Sequence, residues 1–428
     1  MKTKPFYGWW VTAAAICTFG IAVGIPYYNM PFFYDYYQKA VADGGFGWAR
    51  DKITLGFPLA ALFTLWVGPL VIHRFSPRKL ILIGTALTAA AFIGFSRMTG
   101  SLDVYYFFWF LYTIGYILSG PIPHQVIISH WFRKLRGTAM GITYVGVAVF
   151  GSIGSLIVKP LTASLGFQNA LAVMGALMFL AWPVAIFILR DKPSDKGLYP
   201  DGEKDAQNVA TAIPFTMGYL LHQWPFWLLT IGSICSIGSI GAINQHMKFV
   251  FKDNGFTDQA TLDSTWRTAS VLILWSSIGG RLLVGWLADR FPKKYVMTAT
   301  YLLVAATIPI LLLVKPGQIE YLYVFAILFG FGMGADYMLI PLMAAEQFGL
   351  NTLARSMAII LPVNTIGQTW FPYFVSLLRD HFGDYAHAML AVFAISVIGT
   401  AAIAILPKHR KQDETLPLQE PGRATAQR

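Results

Sequence analysis

Long apolar runs alternate with short polar breaks along the chain, near 8–34, 53–72, 80–97, 103–129, 137–160, 168–190, 223–247, 268–288, 296–314, 320–345, 356–378 and 385–406. A run of about 18 residues or more spans a hydrocarbon core, and only helices or closed barrels satisfy the backbone there. These runs are continuous and do not alternate with a period of two, so they predict twelve transmembrane helices rather than a barrel. One long polar stretch, carrying Asp191, Lys192, Lys196, Asp201, Glu203, Lys204 and Asp205, divides the runs six and six. The expected plan is an all-α integral membrane protein: a six-helix bundle over 1–190, a linker over 191–222, a second bundle over 223–407 and a disordered tail over 408–428.

Only 12% of the residues are charged and 56% are hydrophobic, against about one quarter charged in soluble domains, so the apolar surplus has membrane lipid as its partner. The formal charge of +11 is not gathered into one patch, which argues against nucleic acid as a partner. Basic residues cluster in alternate breaks instead: Arg74, Arg78 and Lys79; Arg133, Lys134 and Arg136; Arg190, Lys192, Lys196 and Lys204; Arg290, Lys293 and Lys294. With Lys2, Lys4, Arg355 and five in the tail, one face collects 21 of the 32. Cytoplasmic loops accumulate such residues, so both termini are predicted on the cytoplasmic side of the cell (inner) membrane. The first run follows Lys2 and Lys4 as in a signal peptide, yet it extends past Tyr28 and is expected to remain as a span. Cys17 and Cys235 lie inside apolar runs without metal-type spacing and are expected as small buried hydrophobes. No Walker-type loop, Gly-x-Ser-x-Gly elbow or metal-ligand cluster accompanies the spans. No cofactor or metal is therefore expected, and neither a primary pump nor a membrane enzyme is supported.

The halves repeat in the same direction. Gly285, Trp286, Leu287, Ala288, Asp289, Arg290, Phe291, Pro292, Lys293 and Lys294 follow the eighth run, while His73, Arg74, Phe75, Ser76, Pro77, Arg78 and Lys79 follow the second. The segment 285–294 resembles the Gly-x-x-x-Asp-Arg-x-Gly-Arg-Lys loop signature of the major facilitator superfamily. Within it the chain is similar to the oxalate/formate antiporter and monocarboxylate carrier branch, through Tyr7-Gly8-Trp9, Gly45-Phe46-Gly47-Trp48-Ala49-Arg50, Trp131-Phe132-Arg133-Lys134-Leu135-Arg136-Gly137 and Gly279-Gly280-Arg281. The resemblance implies a monomeric secondary carrier working by alternating access, with Asp289 and Arg290 latching the cytoplasmic side. The first copy has Pro69 for the Gly and His73 for the Asp, so Arg74 is read either as a gate or, with Arg78 and Lys79, as a lipid-headgroup contact. Drug exporters carry a Gly-Pro and Gly-Gly signature where this chain has Phe150-Gly151-Ser152-Ile153-Gly154-Ser155, which weakens an export reading.

Ionisable side chains deep in a span need a partner, a wet cavity or a function. Arg281 lies eight residues before Asp289, about 12 Å along a helix, and Asp336 ten before Glu346, about 15 Å. By resemblance Arg281 is the anion-binding group, its planar guanidinium matching a carboxylate; the alternatives are snorkelling or a permanent ion pair. Asp336 is expected either to couple a proton by pairing with Arg281 and releasing it, or to hold a static pair. The branch's own proton-site Asp, one turn before the arginine, is replaced by Ser277, and the lysines of related carriers are missing, which favours a monoanion. The resemblance implies that spans one, four, seven and ten line the pathway, which makes Tyr27, Tyr28, Asn29, Tyr116, His124, Asn244, Gln245, His246, Tyr337 and, from the eleventh span, Asn364 and Gln368 candidate cavity-lining groups, each with the alternative of a satisfied interhelical contact. The aromatics from Tyr27 to Tyr37 read first as an interfacial belt and second as a substrate platform. The expected function is proton-coupled transport of a small organic monoanion; the alternatives are a drug or metabolite exporter and a transport-inactive membrane sensor.

Overall fold

The computed structural model describes residues 6–203 and 216–407; the tail at 408–428 and linker residues 204–215 lie outside the described residues. Twelve helical spans follow in order. In the first half they are α1 (Tyr7–Gln38), α2 (50–74), α3 (Pro77–Ser96), α4 (102–131), α5 (136–165) and α6 (167–187). In the second they are α7 (Trp224–Asp253), α8 (Gln259–Arg290), α9 (Lys293–Leu312), α10 (Ile319–Phe348), α11 (Leu350–Phe382) and α12 (Tyr385–Ile405). Among the described residues no strand occurs.

Eight helices are long and apolar enough by themselves to cross a membrane. One of these, running over 136–187, is far longer than a bilayer is thick and breaks at Gly166, whose φ of 78° is open to glycine alone at little cost, so it counts as α5 and α6. The remaining three spans are α2 and α4, each built of shorter segments, and the more polar α11. Several helices overrun their apolar runs: α8 begins at Gln259 rather than near 268, because Asp258 accepts the Thr261 N–H at 2.8 Å and caps it. Asp384 caps α12 in the same way through His387 N–H at 2.9 Å. Outside the hydrocarbon, capping decides where a helix starts, so hydropathy misplaces the start of α8, whereas that of α12 falls at 385 as expected.

Within each half the helices approach through small residues, as expected where lipid supplies no hydrophobic driving force between them. A side chain on Gly115 of α4 would meet Thr88 Oγ1 at 2.5 Å and the Gly84 carbonyl at 2.8 Å on α3. Gly330 of α10 sits on the Ile273 carbonyl of α8, and Gly175 of α6 on Ala89 and Phe92 of α3. The two bundles then meet along two seams, α5 against α8 and α11 against α2 and α4.

Phe6, Pro407 and the described linker residues 191–203 lie on one face. Phe6 packs on Trp131 and Phe132, and Gln347 donates to the Pro407 carbonyl at 3.0 Å. The linker's first part belongs physically to the first bundle. Asp191 accepts the Arg78 N–H at 2.8 Å, and Asp201, left-handed at φ 57°, accepts the Arg133 and Lys134 N–H groups at 2.9 and 2.8 Å. Glu203 pairs with Lys134 at 2.5 Å; their shared hydrogen bond first, and their charges second, push the lysine up and the carboxyl down.

Replacing Gly115 by Val is expected to lower stability by about 1–3 kcal/mol through overpacking against Thr88. Gly218→Ala, with nothing within 4 Å of the added carbon, should be neutral. Thermal unfolding in detergent checks this, and equal melting temperatures would refute the packing account.

Candidate functional site

The site is built upward from the seam on the linker face. Gly137 opens α5 directly against Gly285 of α8, and a side chain there would meet Asp289 Oδ1 at 2.8 Å and Ala288 Cβ at 3.2 Å. This approach brings the first amides of α5 onto Asp289. Its Oδ1 accepts the Gly137 N–H at 2.5 Å, and its Oδ2 accepts the Thr138 N–H at 2.7 Å and hydroxyl at 2.6 Å. A carboxylate at a helix N-terminus gains from the exposed N–H groups and the helix dipole. Arg290 stands outside this contact, stacked on the Trp286 ring at 3.9 Å. Arg74 is exposed at the end of α2. On the second seam Gly68 of α2 lies against the Ala358 carbonyl of α11. The linker face is thereby shut along both seams.

One turn deeper, Gly141 packs on the backbone carbonyl of Arg281 and 3.4 Å from the Met338 sulfur. The Arg281 side chain is 8% exposed. Its Nη1 donates to Ser277 Oγ at 2.8 Å, while Nε has no partner. Its electrostatic neighbours are Tyr28 and Tyr144, both from the opposite bundle, so the guanidinium faces across the seam. Among the described residues no carboxylate forms an ion pair with it.

Tyr28 and Tyr144 belong to a group of five tyrosines on the seam. Tyr27 and Tyr28 of α1 meet edge to face at 5.5 Å, Tyr27 stacks on Tyr116 of α4 at 6.3 Å, and Phe57 touches both Tyr27 and Tyr116. Tyr144 of α5 receives a hydrogen bond at 2.5 Å from the amide of Gln125 on α4. Tyr337 of α10 neighbours Tyr27, Tyr116 and Tyr144, and its hydroxyl donates to Gln368 Oε1 at 2.7 Å. Tyr28 is 48% exposed, so the cluster opens away from the latched face. Asn244, exposed, touches Met333, which lies one turn before Tyr337 on α10.

Asp336 is not part of this group, which corrects the expectation of a pair with Arg281. Neighbouring positions on a helix point about 100° apart. While Tyr337 looks across the seam, Asp336 turns into the second bundle, fully buried. Its Oδ2 accepts the Ser236 hydroxyl of α7 at 2.5 Å; the Tyr301 hydroxyl of α9 lies beside it without a well-formed hydrogen bond, and Oδ1 has no partner.

Several expected lining groups are also tied up inside a bundle. His246 bridges the Tyr385 hydroxyl at 3.2 Å and the Pro372 carbonyl at 2.9 Å, joining α7 to α11 and α12. Asn364 accepts the Ser233 hydroxyl at 2.9 Å. Asn29 donates to the Ile25 and Gly151 carbonyls at 2.8 and 3.2 Å. His124 sits between Thr18 Oγ1 at 2.8 Å and the Gly120 carbonyl at 2.7 Å, stacked on Phe19. In each case a polar side chain in an apolar bundle takes the nearest partner on a neighbouring helix. Gln245 is exposed. Tyr27 and Tyr28 belong to the seam rather than to an interfacial belt, whereas Tyr37 lies buried among Phe46, Trp48 and Tyr105. Sequence reasoning missed Tyr144 and Gln125. The signal for Tyr144 was available: Gly137, Gly141 and Tyr144 recur at helical spacing on one face of α5.

Two bundles shut on one face, with a buried and unpaired guanidinium between them, define a membrane transporter rather than an enzyme. The family profile described as Major Facilitator Superfamily matches residues 12–282 and 263–427, and the chain belongs to that superfamily. It is 24% identical to an MFS-type transporter of Gibberella moniliformis over 93% of this chain and 89% of the relative. It is 21% identical to monocarboxylate transporter 10 of Homo sapiens over 82% and 66%. The crystal structure of the human organic anion transporter MFSD10 (TETRAN) shares the fold, with a TM-score of 0.71 at 11% identity, covering 94% of this chain and 100% of that one.

Asp289→Ala removes the acceptor of two backbone N–H groups and one hydroxyl. Hydrogen bonds to a charged group contribute about 1.5–3 kcal/mol each, so the latched face should open at least about 10-fold more often. In a chain with Cys17 and Cys235 replaced by Ala, a cysteine placed at Met338 should be alkylated correspondingly faster. An unchanged rate would mean that Asp289 does not hold the seam.

Proposed function

We propose that the protein is a secondary carrier that takes up a small organic monoanion together with a proton, by rocking its two bundles about Arg281. The observation that supports this best is the Arg281 guanidinium, held between the bundles with a free Nε and no carboxylate partner. A planar guanidinium binds a carboxylate through parallel hydrogen bonds, which Lys cannot reproduce. Tyr27, Tyr337, Asn244 and Gln368 line the same space; Asn29, His246 and Asn364 serve as helix ties rather than substrate contacts. The basic clusters put the latched face in the cytoplasm of the cell membrane, so this conformation receives substrate from outside.

Charge bookkeeping gives the coupling. Occluding Arg281 without an anion while Asp336 is protonated would seal an uncompensated charge in a low-dielectric interior, which costs several kcal/mol. The anion removes that cost, so the loaded carrier closes outside and releases the Asp289 latch inside. Asp336 is the proton site: with one hydroxyl bond and no nearby cation among the described residues, an ionised carboxylate there would be poorly held. Loaded, the carrier holds a protonated Asp336 and a neutralised Arg281. Empty, it returns with the two buried charges offsetting each other. Arg290 supports the latched face from outside, and Arg74 contacts lipid headgroups. One chain contains the whole site, so a monomer suffices. The name of one relative, monocarboxylate transporter 10, agrees with this substrate class.

Reconstituted protein should carry labelled monocarboxylates and acidify the vesicle lumen. Arg281→Lys is expected to cut uptake at least about 10-fold. Asp336→Asn should still exchange anion for anion while losing the accompanying acidification. Transport of cations or neutral drugs with Arg281→Lys unaffected would overturn the monoanion reading, and absence of counterflow for any solute would favour a sensor.

A further inference from the structure

The lining around Arg281 is specific in what it contains and in what it lacks. Both bundles contribute aromatic rings to it: Tyr27, Tyr116 and Phe57 from the first, Tyr337 from the second. Tyr27 and Tyr116 lie within 29° of parallel, and Tyr337 stands within electrostatic reach of both from across the seam, without ring contact. The Tyr27 and Tyr116 hydroxyls make no hydrogen bond to the described residues, so neither ring is pinned by one. Carboxylates are absent from this lining among the described residues, since Asp336 turns into the second bundle and Asp289 is spent on α5. The amides suited to reading several hydroxyl groups are mostly engaged elsewhere: Asn29 and Asn364 inside their bundles, Gln368 with Tyr337. A small cavity lined by Thr64, Thr113, Tyr116, Leu361, Pro362 and Thr365 continues the ring wall along the α11 seam.

We infer that the substrate is an aryl monocarboxylate without an amino group, its carboxylate on Arg281 and its ring stacked against Tyr27 and Tyr116 with Tyr337 closing over it. This rests on the monoanion reading and narrows it. A flat ring gains offset or edge-to-face contacts with aromatic neighbours beyond simple area burial. An ammonium group on the substrate would find no carboxylate here. It would also leave Arg281 uncompensated on occlusion, because a zwitterion adds no net charge. A polyhydroxylated acid would bury more hydroxyls than this lining pairs, at the cost of unsatisfied polar groups. Tyr337 comes from the second bundle, so a ring between it and Tyr116 bridges the halves and favours closure.

The test is competition in proteoliposomes under an inward proton gradient, with benzoate, cyclohexanecarboxylate, acetate, glucuronate and phenylalanine competing against labelled benzoate and, separately, labelled acetate. Benzoate should compete about 10-fold better than acetate or glucuronate, and better than its saturated analogue. Tyr27→Phe and Tyr116→Phe should retain this preference. Tyr116→Leu should raise KM for benzoate about 10-fold and cost acetate uptake less than benzoate uptake, a selective loss that Tyr116→Phe, which keeps the ring, does not share. If benzoate gains nothing over acetate while Arg281→Lys still abolishes uptake, the ring assignment is overturned and the monoanion carrier stands. Preference for glucuronate, parity of phenylalanine with benzoate, or equal loss of acetate uptake in Tyr116→Leu would each overturn the ring assignment. Uptake indifferent to Arg281→Lys would remove both.

Discussion

Two opposite charges buried in the membrane and kept apart organise this molecule. Arg281 faces the seam between the bundles, while Asp336 is turned into the second bundle toward α7 and α9. Had they paired, they would have satisfied each other and left a site with nothing to offer an anion. Separation leaves the guanidinium at the seam without a carboxylate partner among the described residues. The separation follows from helix geometry: α8 and α10 are pressed together by Gly280, Gly330 and Gly334, and that close contact leaves Asp336 on the far side of α10.

One helix, α8, carries both Asp289 and Arg281. On α8, Arg281 and Asp289 are eight residues apart, a little over two turns. On α5, Gly137 and Gly141 form the flat strip against which α8 rests, and Tyr144 continues that strip to the guanidinium. A movement that separates α5 from α8 at Asp289 therefore changes the geometry at Arg281, with no intermediate element needed. Packed helices of this kind have discrete arrangements rather than graded ones, because their glycine contacts are either made or broken.

The polar stretch between the halves plays two structural parts. Its first residues cap and clamp the first bundle, through Asp191 on α3 and Asp201 on the loop between α4 and α5. The amides that Asp201 accepts from, Arg133 and Lys134, thus lie four and three residues before Gly137, where the other bundle's Asp289 binds. The loop is held by one carboxylate from its own half and the start of α5 by one from the opposite half.

Hydropathy by itself determined the number of spans, their division into halves and the candidate depth of Arg281, because a continuous apolar run has one favourable fate in a bilayer. The loop pattern from Gly285 to Lys294 singled out Asp289, and the structure sets that carboxylate on the N-terminus of α5. Which way each side chain points was beyond the sequence. Asn29, His124, His246 and Asn364 are polar residues in apolar helices, and such residues look alike whether they line a path or tie two helices together. Asp336 and Tyr337 are adjacent in sequence, yet one is a buried carboxylate in a bundle and the other a wall of the seam. Tyr144 and Gln125 became site residues only when α4 and α5 were set against α8. Rotation of each helix about its own axis is decided by the summed packing of all its neighbours, and that sum exists only in the assembled fold.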